Sequence, residues 1–114
     1  MNDIFVSTAC LKGDKSYERV INEFLSNDIK YIELTGVHPY LKNEELEILL
    51  LKYIKKGVNF TFHNYFPPPE KPIVLNYLTE DLQLKKKCKE IILNAINLAR
   101  KTGVKTYAFH PGYY

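Results

Sequence analysis

Val58-Asn-Phe-Thr-Phe-His63 and Lys105-Thr-Tyr-Ala-Phe-His110-Pro-Gly112 are two short runs that each end on a histidine. On a strand, successive side chains alternate between faces with a period of two. Thr61 and His63 therefore share one face, and Val58, Phe60 and Phe62 take the other. In the second run Thr106, Ala108 and His110 share a face, opposite Tyr107 and Phe109. Aromatic residues on one side and histidines at one rim describe strands covered by helices, with a polar mouth where the strands end.

Working outward, the pattern alternates. Asp3 to Thr8 and Tyr31 to Leu34 read as strands. Ser16 to Ser26 reads as a helix with Ser16 at its N-cap, because Tyr17, Val20, Ile21, Phe24 and Leu25 fall at helical spacing. Asn22 and Glu23 lie on its wet face. Asn43 is expected to cap a second helix, Glu44 to Lys56, closed by Gly57. A third helix is expected from about Asp81 to Thr102, with Leu84, Cys88, Ile91, Ile92, Ala95, Leu98 and Ala99 as its stripe. Between the third strand and that helix, residues 64–80 carry Pro67, Pro68, Pro69 and Pro72, which exclude helix and central strand.

The order βαβαβαβ, with units starting about every 27 residues, predicts an α/β fold with a parallel sheet and right-handed crossovers. Ligands of such sheets bind at the carboxyl ends of the strands. Ser7, Thr8, Glu33, His63 and His110 occupy those ends, and Asn64 follows His63. An inward carboxylate such as Glu33 needs a partner, a ligand or a metal. A salt bridge to a lysine is the competing reading for Glu33. Hydrogen bonds within loops are the competing reading for His63 and His110. His38, in Gly36-Val-His-Pro39, reads as a loop histidine, and Cys10 as a small buried residue. Tyr40, Tyr65, Tyr113 and Tyr114 admit two readings, stacking on a sugar ring or half-buried amphipathic surface.

The chain has 114 residues, 46% of them hydrophobic and 25% charged, within the range of one globular domain. No apolar run approaches the length of a membrane span, and no leader pattern is visible, so a cytoplasmic location without membrane association is expected. Cys10 and Cys88 form no C-x-x-C pair, which fits reduced thiols. A net charge of +3 is mild. Lys85-Lys-Lys87 reads as a solvated face, so nucleic acid is not the expected partner.

These blocks together resemble the N-terminal half of the xylose isomerase-like TIM barrels, the sugar-phosphate isomerases and epimerases with endonuclease IV as a relative. Val6-Ser-Thr-Ala-Cys-Leu11 looks like the family's first strand and Tyr31-Ile-Glu-Leu34 its second. His63-Asn-Tyr-Phe-Pro-Pro-Pro69, with Val74-Leu-Asn76 and Glu80-Asp81, looks like the loop after the third strand. Ala95 to Val104 and Phe109-His-Pro-Gly112 look like the third helix and fourth strand.

The resemblance implies the first half of a (β/α)8 barrel over residues 1–114, with 64–80 as an active-site loop. It implies a sugar or sugar-phosphate substrate. It also implies a divalent metal (Zn, Mn, Fe or Co) that polarises the sugar, while carboxylates on later strands shuttle the proton. Glu33, His63, Asn64 and His110 carry over as substrate-facing residues, and His63 and His110 as metal ligands. A full barrel needs about 250 residues. The chain is therefore expected to be a fragment without turnover of its own, completed by a missing C-terminal half or by another copy. A non-catalytic binding or assembly module is the alternative reading, and an endonuclease IV-like repair enzyme a weaker one.

Overall fold

A computed structural model describes residues 3–11 and 13–112. Four strands, β1 (Val6–Ser7), β2 (Tyr31–Leu34), β3 (Asn59–His63) and β4 (Tyr107–Ala108), form one sheet in the order β1-β2-β3-β4. Every pairing is parallel. Three helices lie between them in sequence: α1 (Tyr17–Ser26), α2 (Asn43–Ile54) and α3 (Leu82–Thr102). The predicted alternation is therefore present.

One face of the sheet is buried under the helices. Ile32 and Leu34 of β2 and Phe60 and Phe62 of β3 meet Tyr17, Val20, Ile21 and Phe24 of α1 and Leu46, Leu50 and Tyr53 of α2 in one cluster. Each such side chain stabilises the fold by about 1.5–3 kcal/mol relative to exposure, before chain entropy is counted. From α3, Leu98 joins this cluster, and Cys88 and Ala95 are also buried. Among the described residues, no helix is long and apolar enough to cross a membrane.

The elements start and stop for local reasons. Ser16 caps α1 by accepting from the Arg19 amide at 3.2 Å, as its sequence position predicts. Asp81 caps α3 through Gln83 N and Leu84 N. Gly103, at φ 78°, ends α3 in the left-handed conformation. Asn43 does not cap α2. It is the first residue of the helix, its side chain pairs with Asn94 on α3, and Glu45 instead accepts from the Lys42 backbone amide.

Three strands are shorter than their sequence suggests. Thr8–Leu11 turns into a 3-10 helix, because Ser7 Oγ accepts from the Ala9 amide and Thr8 is tied sideways to Thr35. Val58 stays out of β3, since its amide bonds back to Tyr53 O at the end of α2. In β4 only Tyr107 and Ala108 pair, so His110 lies two residues beyond the strand rather than at its last position. Pro111 offers its carbonyl to Tyr77 N in the proline-rich segment, which draws this end off the sheet. Phe109 is consequently 49% exposed and packs against Tyr77, where the strand pattern places it beneath a helix. Cys10, read from sequence as buried, is exposed, while Cys88 is buried; both are free thiols. The two outer strands have two residues each, a length that blunts the open edges of the sheet.

Candidate functional site

Sheet register decides which side chains meet. Ser7 pairs with Glu33, and Glu33 pairs with Thr61. These three form one polar row on the face away from the helices. The next row toward the carboxyl ends includes His63, opposite Ala108 of β4. Two residues past Ala108, the chain brings His110 back to His63. Their ring centroids are 5.4 Å apart, and the ring planes meet at 71°. The sequence expectation that both histidines reach one rim therefore holds, although His110 reaches it from coil.

A cavity of about 460 Å³ opens beside them, lined by Ser7, Glu33, Thr35, Gly36, His63 and Asn64 among others. Three of the four candidate residues thus share one cavity, and His110 adjoins it through His63. Glu33 is half-buried and makes no ion pair among the described residues. Asn64 is 5% exposed, and its Oδ1 has no hydrogen-bond partner. A buried amide oxygen without a donor is costly, by about 1–3 kcal/mol. It is an acceptor beside a cavity that already presents a carboxylate.

The walls of the cavity are held by contacts that the sequence did not announce. Thr8 and Thr35 join the ends of β1 and β2 by a hydroxyl pair at 2.8 Å, and the Thr35 amide donates to Thr8 Oγ1 at 3.0 Å. Tyr17 donates its hydroxyl to Thr35 O at 2.7 Å. Burial drives the Tyr17 phenol well above its ordinary range, and a backbone hydrogen bond from His38 offsets part of that. Gly36 packs so closely on Tyr65 that a Cβ there would stand 2.0 Å from Tyr65 O. Tyr65 itself has φ 68° and accepts from the Leu75 amide at 2.9 Å, which folds the proline-rich segment back over the rim.

His38 lies in the loop between β2 and α2, as its sequence position suggests. It is buried, with both ring nitrogens on backbone carbonyls. One signal was available for Thr35: alternation from Glu33 extends the polar face by one more position. Of the tyrosines that sequence placed near a sugar ring, Tyr65 lines the cavity and Tyr40 is exposed beside the proline-rich segment; Tyr113 and Tyr114 lie outside the described residues.

The implied metal can be tested against this geometry. His63 and His110 are close enough to share an ion, and among the described residues neither ring is held by a hydrogen bond. No group of three histidine, cysteine, aspartate or glutamate side chains that could hold a metal occurs among the described residues. The pair supplies two ligands at most, and a closed metal centre is not formed by these residues alone.

Neither a family model, nor a curated protein, nor a solved structure matches this chain.

Proposed function

We propose that the carboxyl-end rim is the substrate-facing half of a sugar or sugar-phosphate isomerase or epimerase site, set in a barrel of the xylose isomerase-like kind. The parallel order β1-β2-β3-β4 is compatible with half of such a barrel. The observation that carries the reading is the meeting of His63 and His110 beside a cavity lined by Glu33 and Asn64.

The chemistry follows from donors and acceptors. Glu33, half-buried at the cavity wall, presents acceptors, which suit the hydroxyl groups of a sugar. An imidazole at the rim can give or take a proton at a carbonyl or hydroxyl oxygen. The carboxylates that move the carbon-bound proton are assigned to strands beyond β4, as the resemblance implies. His63 and His110 would be the two ligands that these residues offer a divalent ion, which would polarise a sugar oxygen when bound.

The test is a panel of aldoses, ketoses and their phosphates, with binding and interconversion measured on wild type, Glu33→Gln, His63→Ala and His110→Ala. Losing a charged hydrogen bond removes about 1.5–3 kcal/mol, so binding to Glu33→Gln should weaken by about 10-fold or more. Binding without interconversion in a complete barrel would turn the reading into a non-catalytic sugar-binding module. Variants that bind and turn over like wild type would end both.

The weaker nucleic-acid reading gains nothing from the fold. Lys85, Lys86 and Lys87 are exposed on α3, a helix on the other side of the sheet from Glu33.

A further inference from the structure

We propose that His38 is a proton-dependent clamp that ties together the loops behind the rim. Its side chain is 95% hidden, with a relative exposure of 5%. Nδ1 lies 3.1 Å from Lys15 O, and Nε2 lies 3.1 Å from Thr8 O. A carbonyl oxygen can only accept, and a neutral imidazole carries one N–H. Both bonds therefore form together only when both ring nitrogens carry protons. With one proton lost, one carbonyl keeps its donor and the other faces a lone pair.

The two carbonyls belong to different parts of the chain. Thr8 stands at the end of β1, and Lys15 precedes the N-cap of α1. His38 itself lies between β2 and α2, so the ring joins three segments that have no covalent reason to stay together. Thr8 also grips Thr35, which lines the cavity beside Glu33. The proton count on a buried ring is thereby linked to one wall of the rim.

The groups facing the ring are few. From α1, the Tyr17 ring meets it edge-on at 4.9 Å, with its hydroxyl engaged on Thr35 O. Before α1, the Lys15 ammonium is held by Glu23 at 2.9 Å. Across a cleft of about 370 Å³, which His38 also lines, stand Tyr40, Tyr65 and Glu70. The clamp does not depend on what the cavity binds, so its failure and that of the sugar reading are separate results.

The experiment is nitrogen-15 NMR of the full chain across the pH range in which it stays folded. The sequence has three histidines. A His63→Ala/His110→Ala variant leaves His38 as the only imidazole in the sequence, and wild type serves as its control. The expected result is two protonated ring nitrogens at the acid end and one at the alkaline end. The amides of Ala9 and Ser16, whose peptide groups contain the Thr8 and Lys15 carbonyls, should shift with the same midpoint. In His38→Gln that shared midpoint should vanish. A ring that titrates while both amides stay still would overturn the clamp. So would a ring that never takes a second proton while the chain is folded.

Discussion

His63, at the end of β3, and His110, two residues beyond β4, bring their rings to a centroid separation of 5.4 Å at the mouth of the sheet. Two imidazoles this close form a natural pair of ligands for a borderline divalent ion. Titration with Zn²⁺ or Co²⁺ should show binding that drops by at least ~10-fold in either His63→Ala or His110→Ala, since losing even outer-shell partners of a metal costs about 10–100-fold. Equal affinity in wild type and both variants would remove the pair from the metal reading.

Gly36→Ala should damage the rim more than an ordinary surface change. The new Cβ would stand 2.0 Å from the Tyr65 carbonyl oxygen, a backbone atom that cannot swing aside. Overpacking of this kind destabilises by about 1–3 kcal/mol. Urea unfolding should show a lower midpoint with an unchanged slope. A midpoint equal to wild type would mean the close approach at Tyr65 is relieved without loss.

Thr8→Val removes the acceptor of the buried Thr35 amide and one half of the hydroxyl pair. A buried donor left unmatched costs about 1–3 kcal/mol. Thr35→Val should be milder, because the Thr35 amide keeps its partner. Chemical denaturation of the two variants gives the order directly, and the reverse order would contradict the bonding described.

Alkaline pH should unfold the chain through its tyrosines. Burial raises the phenols of Tyr17, Tyr53, Tyr77 and Tyr107 above their ordinary value. A phenol whose titration is pushed up in the fold is held neutral there. Its stabilising contribution is complete below about pH 10, where unfolded tyrosine titrates, and is lost as pH rises beyond that. Tyr17→Phe should show a shallower alkaline decline and a lower stability at neutral pH, since Thr35 O loses its donor. Stability that stays level well above the free phenol range would contradict this.

The βαβαβαβ order, the α1 stripe, the limits of β2 and the inward placement of Glu33 and His63 were legible because each rests on local periodicity. Phe60 and Phe62 went under the helices as alternation requires. What was hidden depends on distant contacts. The early turn of Thr8–Leu11 follows from a bond to Thr35, twenty-seven residues away. The release of His110 from β4 follows from Tyr77 N reaching Pro111 O. The burial of His38 requires two carbonyls from other loops, and nothing in Gly36-Val-His-Pro39 predicts them.

The central claim is that Glu33, His63, Asn64 and His110 face one sugar-type ligand. The most direct measurement is amide and side-chain NMR mapping during titration with unphosphorylated and phosphorylated sugars. Saturable shifts are expected, centred on those four residues and on Thr35 and Gly36, and lost in Glu33→Gln. Shifts that are absent at the rim for every sugar, or that cluster on the helix side of the sheet, would contradict it.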